Sequence, residues 1–440
     1  MDSVALARAT MGTSLAFHIV FAALGVGLPL MLMIAEGLAL WRRDPVWMDL
    51  ARRWSRAFGL LFAVGAVSGT VLSFELGLLW PRFMALSGSM IGLPFTAEGF
   101  AFFLEAIFLG LYLYGWGRVG PRLHLASGLV VAASGALSAF FVTLANAWMN
   151  VPAGFELRDG AAADVRPLVA MFPPGWAHEV IHVLLSSYLA TGFAVAGIHA
   201  LRLLRRPASA LDRAALRLAL LVGGAAALLQ PISGDFSARE VARTQPVKLA
   251  ALEGQFRTER GAPLRIGGLP DPDAGATRFA LEIPRGLSLL AFHDPDAEVR
   301  GLAEFPREVW PPVRRVHLAF QVMVGLGTLL AALSAAGLLL ALRRRPWQRA
   351  YLRAVAIAGP AGFVALEAGW LVTEWGRQPF TVRDVLTTAQ SVTPVARLGV
   401  PLVLFVAVYV LLGIVTALLL YRQIAATPDA AGADRAGGPA

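Results

Sequence analysis

The chain of 440 residues contains no cysteine. This absence excludes disulfide bonds, iron–sulfur clusters, thiolate ligation of a metal and covalent attachment of haem through a CxxCH motif. It does not identify the compartment in which the protein works.

Charged residues are scarce as well, at 15% of the chain against 57% hydrophobic residues. A soluble domain has about 25% charged residues. The net charge of +9 could suggest a nucleic-acid partner, but the basic residues cluster in short loops between apolar runs, where they set the orientation of membrane helices. The first apolar run is too long for a signal peptide and lacks a small-residue cleavage site. The composition therefore predicts a multi-span membrane protein that binds no nucleic acid.

Apolar runs long enough to cross a bilayer recur along the chain. In lipid every backbone amide must be paired within its own segment, so these runs should be helices. We predict an all-α integral membrane protein with about nine transmembrane helices, at 14–41, 54–80, 95–117, 122–148, 177–204, 214–235, 313–343, 349–374 and 395–422.

Arginines distinguish the two sides of the membrane. They are concentrated in the loops after the first, third, fifth and seventh helices, and the alternate loops are poorer in positive charge. The positive-inside rule therefore predicts an N-terminus outside and a C-terminus in the cytoplasm.

One loop is long, and a loop of this length is usually functional. The sequence predicts six helices in 1–235, a long outer loop in 236–312 with short helices such as 244–259, three helices in 313–423, and a disordered cytoplasmic tail in 424–440.

Ionisable residues within the predicted helices are functional candidates, because each costs roughly 2.5–3.5 kcal/mol at membrane depth. Most fall in the outer halves of their helices, so we expect them to converge in one layer near the outer surface. Alternatively, those at helix ends reach the interface by snorkelling. They are His18, Glu75, Glu98, Glu105, His182, Glu367 and Glu374.

Residues 178–182 read HEVIH, which matches the HExxH zinc motif of metalloproteases. One hypothesis is an intramembrane zinc protease, and another is a transporter whose buried carboxylates carry protons or ions. The interpretation that we favour has only His182 buried, with His178 and Glu179 facing the outer water.

A single membrane-embedded histidine can be an axial haem ligand. Met323, beside two small glycines, could supply the second ligand, although methionine is more often simply packed.

Seven segments, taken together, resemble subunit I of the cytochrome bd quinol oxidases. They occur in the family's order and cover helices one to nine and the outer loop. The last is close to the family's GRQPW signature, with Phe380 in place of Trp. The segments read FHIVFAALGVGLPLML, AEGFAFFLEAIFLGLYLYGW, LANAWMNVP, HVLLSSYLATGF, QPVKLAALEGQF, FQVMVGLG and GWLVTEWGRQPF.

The resemblance implies three non-covalent haems: a low-spin haem b, a high-spin haem b, and a haem d or a third haem b where oxygen is reduced. It places His182 and Met323 on the low-spin haem. His18 and Glu374 become the axial ligands of the high-spin pair, and which of the two holds which haem stays open. Trp370 corresponds to an aromatic residue thought to carry electrons between haems.

The same resemblance implies roles in handling protons and quinol. Glu98 corresponds to a glutamate near the high-spin site, and Glu105 with Ser138 corresponds to a proton pathway. Lys248, the only lysine in the chain, and Glu253 correspond to the quinol-binding residues of the outer "Q-loop".

The chain departs from the family pattern at three places. Glu98 and Glu105 are seven residues apart, one fewer than in other members. Gln321 stands two residues before Met323, at a predicted cofactor-binding position where many members have an arginine that would hold the low-spin haem. The outer loop is short. Gln321 and the short loop both resemble the cyanide-insensitive branch.

The residue types in the GWLVTEWGRQPF segment suit a haem site. Glu374 would be a hard anionic ligand to iron, and Trp370 lies on the same helix face. Arg377 can neutralise haem propionates through charge-assisted hydrogen bonds. Gly376 relaxes the helix end, and Pro379 prevents the helix from continuing.

The resemblance also implies a setting and partners. It implies a bacterial inner-membrane terminal oxidase that oxidises ubiquinol or menaquinol outside and reduces dioxygen to water. Protons would be taken from the cytoplasm, which generates a proton motive force. A second subunit of homologous fold, small single-span subunits and membrane lipids are the expected partners.

Overall fold

The computed structural model describes residues 3–395 and 398–425 of the chain. Helices of membrane-spanning length dominate this part of the chain. In chain order, the helices are α1 Ser3–Arg42, α2 Pro45–Leu79, α3 Pro81–Tyr114, α4 Pro121–Asn150, α5 Pro167–Met171, α6 Trp176–Arg205, α7 Ala210–Thr244, α8 Pro246–Glu253, α9 Gly286–Phe292, α10 Val313–Leu342, α11 Arg349–Ala358, α12 Ala361–Gly376, α13 Thr388–Ser391 and α14 Gly399–Ala425.

Short antiparallel strand pairs occupy the connections. In chain order, the strands are β1 Glu156–Arg158, β2 Ala161–Ala163, β3 Glu259–Arg260, β4 Leu264–Ile266, β5 Leu269–Asp271, β6 Ala276–Arg278, β7 Leu281–Ile283, β8 Glu298–Val299, β9 Phe380–Val382 and β10 Leu386–Thr387. The pairs β3–β8, β4–β7 and β5–β6 nest inside one another in the outer loop. Leu264 lies opposite Ile283 in the middle pair.

The nine predicted membrane spans are confirmed within the described residues. The eighth span consists of two helices, α11 and α12, because Pro360 interrupts the hydrogen-bonding ladder between them.

Several helices extend well beyond their predicted apolar cores. The first begins at Ser3 rather than 14, and the third begins at Pro81 rather than 95. Proline at the first helical position suits the start of α3, since its missing amide hydrogen has no partner there in any case. The predicted bounds put His18 and Glu98 close to the starts of their helices, and this is wrong, because each lies about four to five turns inside its helix.

The core of the bundle forms where α1, α2, α6 and α7 pack together around fully buried residues such as Leu50, Phe58 and Leu216. The helices α6 and α7 approach each other closely at Gly192 and Gly223, where a β-carbon on either residue would overlap the backbone of the other. Small residues permit such close helix contacts in membranes.

The outer loop has a small core of its own, which packs on α10. Leu252, Phe256, Val299 and Leu302 bury their side chains against Val316. The predicted loop start at 236 is wrong because α7 continues to Thr244, and the predicted helix at 244–259 is shorter, at Pro246–Glu253. In the predicted tail 424–440, α14 includes residues 424 and 425, and residues 426–440 lie outside the described residues.

The glycine contact between α6 and α7 can be tested by adding one methyl group. We expect Gly192→Ala to lower the free energy of unfolding by about 1–3 kcal/mol, because overpacking forces the two helices apart. Gly110→Ala in α3 is the matched control, since nothing lies within 4 Å of its β-carbon position. Thermal denaturation of both variants in detergent makes the comparison, and equal melting temperatures would contradict the proposed contact.

Candidate active site

Helix α12 contacts a different partner at each of several neighbouring positions. A β-carbon on Gly369 would lie 3.1 Å from Met323 Sδ on α10. The next residue, Trp370, packs against a small buried cluster that includes Ile19 and Ala23 of α1. Near its end, α12 meets α8, because a β-carbon on Gly376 would lie 2.8 Å from the Lys248 Cε. One helix therefore connects the proposed low-spin ligand, the turns of α1 around His18 and the outer loop.

The Glu374 carboxylate is held from two sides. Its Oε1 accepts a hydrogen bond from Asn146 Nδ2 at 3.0 Å, and its Oε2 accepts one from Arg377 Nη2 at 2.7 Å. Arg377 is only 4% exposed, and among the described residues its Nε and Nη1 have no hydrogen-bond partner. Buried guanidinium nitrogens of this kind suit an anion such as a haem propionate.

A chain of hydrogen bonds continues from Glu374 along α4 to α6. Asn150 Nδ2 donates to Asn146 Oδ1 at 3.0 Å and to Glu179 Oε1 at 3.2 Å. The two asparagines are four residues apart and so lie on one helix face. They come from the LANAWMNVP segment, whose pattern could have indicated this network. The predictions from sequence included no role for Asn146 or Asn150, and they placed Glu179 at the outer water.

His182 is oriented by α7. Its Nδ1 lies 3.2 Å from Ser233 Oγ, and its backbone oxygen accepts from Gln230 Nε2 at 3.2 Å. A hydrogen bond at one ring nitrogen directs the other toward a ligand, as is usual for metal-binding histidines. The helices α6, α7, α10 and α12 pack together, and this group includes the helix of Met323.

His18 has a similar environment between α1 and α2. Its Nδ1 lies 3.0 Å from Ser68 Oγ, and a β-carbon on Gly69 would lie 2.9 Å from its Cε1. One turn away, Ser14 Oγ donates to Glu75 Oε1 at 2.7 Å. The imidazoles, thioether, carboxylate and buried arginine together fit haem irons and their propionates.

The proton-pathway hypothesis paired Ser138 with Glu105, but in the structure Ser138 bonds to Glu98. Ser138 Oγ donates to Glu98 Oε1 at 2.9 Å. Glu105 instead approaches α4 at Gly135, where a β-carbon would lie 3.3 Å from its Oε1. Within the described part of the chain, this Oε1 is buried without a hydrogen-bond partner.

The ionisable groups do not form one layer. Glu105 and Glu367 each lie seven residues, about two helical turns, from Glu98 and Glu374 on the same helices. Glu367 Oε1 is also buried without a partner among the described residues. The predicted single layer is therefore wrong, because two of its members lie about two turns away along their helices.

The two predicted quinol residues lie together on α8, and both are buried. Lys248 is 6% exposed, and desolvation lowers its pKa to about 8, although the negative charge of Glu179 opposes this shift. Burial raises the pKa of Glu253 to about 7 against the opposing effect of Arg265. Glu253 Oε2 has no hydrogen-bond partner in the described structure. The pair thus offers one cation and one carboxyl group whose charges change near neutral pH.

Gln321 faces the outer loop. Its Oε1 accepts from the Gly267 amide at 2.9 Å, and its Nε2 donates to the Arg265 carbonyl oxygen at 3.0 Å. Both polar atoms of its side chain are therefore already bonded to the loop backbone, so its predicted role in cofactor binding gains no support from these contacts.

Comparison with known proteins decides the family. The family model of cytochrome bd terminal oxidase subunit I matches residues 6–428. This chain belongs to that family. A Bacillus subtilis (strain 168) protein named as a cytochrome bd menaquinol oxidase subunit I is 38% identical, over 96% of this chain and 97% of that protein. Cytochrome bd ubiquinol oxidase subunit 1 of the same strain is 32% identical, over 96% and 94%.

A solved structure agrees with the cytochrome bd assignment. The bd oxidase from Geobacillus thermodenitrificans matches with a TM-score of 0.92 and 40% sequence identity. The match covers 97% of this chain and 99% of that chain. The fold is therefore that of a bd oxidase along nearly the whole chain.

The HEVIH segment is bonded in a way that suits a bd oxidase better than a zinc protease. His178 Nδ1 lies 3.2 Å from Ser237 Oγ, whereas Glu179 and His182 bond to Asn150 and Ser233. Among the described residues, no group of three or more potential ligands could hold a metal ion. The interpretation that Glu179 faces the outer water is wrong, because its carboxylate is turned toward α4.

Two further buried pairs in this bd-family bundle, each of a histidine and a carboxylate, were not predicted from the sequence. His124 Nδ1 lies 2.8 Å from Glu36 Oε1, and His199 Nδ1 lies 2.7 Å from Asp212 Oδ1. Arg202 Nε also donates to Asp212. Glu36 falls inside the first predicted span, so its charge could have marked it as a functional candidate.

Proposed function

We propose that this chain is the haem-bearing subunit of a terminal oxidase that oxidises quinol at its outer loop and reduces dioxygen to water. One observation carries the proposal. Helix α12 contacts Lys248 of the loop, carries Trp370 and Glu374, and packs Gly369 against Met323. A single helix thus contacts one proposed quinol residue, one proposed low-spin ligand and the turns of α1 around His18, and it carries Glu374 itself.

We propose two haems b and one haem d, or a third haem b in its place, as the cofactors. His182 and Met323 would hold the low-spin haem, and His18 and Glu374 the high-spin pair. When bound, the haems supply one-electron transfer and the reduction of oxygen. The protein orients the ligands through Ser233, Ser68 and Asn146, and Trp370 fills the space between α12 and the turns around His18.

Lys248 and Glu253 are proposed to bind the quinol head group. The ammonium group can donate to a quinol oxygen, and the Glu253 carboxylate can accept a proton from a quinol hydroxyl. Both groups are buried, so their interactions with a bound ring are weakened little by water.

Glu105 and Glu98 are proposed to pass protons toward the site of oxygen reduction, with Ser138 orienting Glu98.

We propose that the N-terminus and outer loop face outward in a bacterial inner membrane. Subunit I implies a subunit II partner, and small accessory subunits are a further proposal. Protons released outside and consumed from the cytoplasm would separate charge without a pump.

A reduced-minus-oxidised optical spectrum of the purified protein tests this function. We expect haem b bands and a far-red band if a chlorin is present, and His182→Leu should remove the low-spin signal. His178→Leu, one turn away, is the matched control and should keep it. A colourless protein with stoichiometric zinc would favour a protease, and a colourless, metal-free protein would favour a transporter.

The pH dependence of quinol oxidation should be bell-shaped. As pH rises through about 7, Glu253 loses its proton and becomes a base; as pH rises through about 8, Lys248 loses its positive charge. We therefore expect kcat/KM for quinol to be highest between these values. Glu253→Gln should remove the acidic limb and lower the maximum. Steady-state oxygen consumption from pH 5.5 to 9.5 measures both, and an acidic limb that survives in Glu253→Gln would contradict the assignment.

Glu105→Leu should slow oxygen reduction on the order of a hundredfold, the usual scale of a lost proton-transfer group, with haem content mostly intact. Ser138→Ala should have a smaller effect through Glu98. Thr143→Val on the same helix is the control, because its hydroxyl donates only to the Ala139 carbonyl oxygen. Stopped-flow reaction of the reduced enzyme with oxygen gives the rates. Unchanged turnover in Glu105→Leu would reject the pathway.

A further inference from the structure

Two side chains on one face of α10 bind the backbone of the outer loop. His317 is completely buried, with Nδ1 2.7 Å from the Leu252 carbonyl oxygen and Nε2 3.0 Å from the Gly267 carbonyl oxygen. One turn further on, Gln321 binds the Gly267 amide and the Arg265 carbonyl oxygen. Both backbone polar groups of Gly267 are therefore held by α10.

The chemistry of these partners makes the contact specific. Each ring nitrogen of His317 lies within hydrogen-bonding distance of a carbonyl oxygen, so the ring is held at both of its polar atoms. Leu252 lies in the last turn of α8, where carbonyl oxygens have no partner within the helix. Gly267 has φ 67°, a conformation that favours glycine, so the turn is shaped to present its backbone to α10.

His317 is the side chain that joins two parts of the loop. Through Leu252 it holds the end of α8, directly beside Glu253, and through Gly267 it holds the turn that follows β4. Arg314, on the same face of α10, adds a hydrogen bond to the Pro270 carbonyl oxygen at 3.3 Å. The loop is thus bonded to α10 at the end of α8, the helix that carries the quinol residues, and again at the turn that follows β4.

We propose that His317 and Gln321 form a clamp, here called the α10 clamp, that positions Lys248 and Glu253 for quinol. The positioning role rests on the function proposed above for those two residues. Met323 lies two residues beyond Gln321 and meets Gly369 rather than the loop. The clamp should therefore affect quinol binding and leave the haem sites unchanged.

The test uses the complete oxidase with His317→Gln, His317→Phe and Gln321→Leu. Ser334→Ala is the control, because Ser334 is buried on α10 and donates to its own helix at Leu330. We measure hydrogen exchange in residues 262–283, KM and kcat for a short-chain quinol, the haem spectrum, and the reaction of dithionite-reduced enzyme with oxygen.

We expect each clamp variant to speed hydrogen exchange in this segment and to raise KM by about tenfold, because only part of the lost hydrogen-bond energy is expected to appear in quinol binding. The kcat, the haem spectrum and the oxygen reaction should stay within about twofold of the wild type, a split that general unfolding would not give. His317→Phe should raise KM more than Gln321→Leu does, because only His317 also holds the Leu252 carbonyl oxygen beside Glu253.

Unchanged hydrogen exchange in Gln321→Leu and His317→Gln would overturn the clamp. Faster exchange with an unchanged KM would overturn its positioning role. If His317→Phe fails to assemble, Gln321→Leu decides, because it removes only the two bonds of one side chain. A wild-type enzyme that oxidises no quinol would refute the proposed function, and the exchange result would still decide whether the clamp exists.

Discussion

The ion pair between Glu374 and Arg377 is the contact around which the site is arranged. Either charge alone would be costly here, and a pair with a buried member needs partners for its remaining polar atoms. Asn146 meets that need for one Glu374 oxygen, whereas Arg377 keeps two nitrogens without a partner among the described residues, which an anion such as a propionate could fill. The second asparagine, Asn150, then carries the network to Glu179. Moving any member leaves a buried polar group unpaired, so α4, α6 and α12 are fixed relative to one another.

The periodicity of α12 explains how one helix can serve several sites. Successive helical residues point about 100° apart, so Gly369 and Trp370 meet different neighbours although they are adjacent. Gly376, almost two turns beyond Gly369, reaches the outer loop at Lys248. A larger residue at Gly376 would overlap the lysine side chain. Close approach, rather than only a relaxed helix end, is what this glycine provides.

Hydropathy predicted the nine spans because lipid requires long apolar helices. It failed at α1, α3 and α7, where the helix continues past the apolar segment. The family resemblance pointed to His18, His182 and Glu374, but it could not give their partners. Gln321 shows why: its contacts lie more than fifty residues away in the loop. Such pairings depend on how the loop folds back, and no local pattern in either segment records them.

Depth separates the two kinds of proton chemistry in the proposed oxidase. Glu253 lies on the loop helix, whereas Glu105 lies within α3, seven residues beyond Glu98. Seven helical residues span about 10 Å. If quinol protons leave through the loop and oxygen's protons arrive through Glu105, the two paths never need to meet. Unequal access to the two sides would then be enough to separate charge, because the proposed electron transfer would join reactions whose protons come from and go to opposite sides.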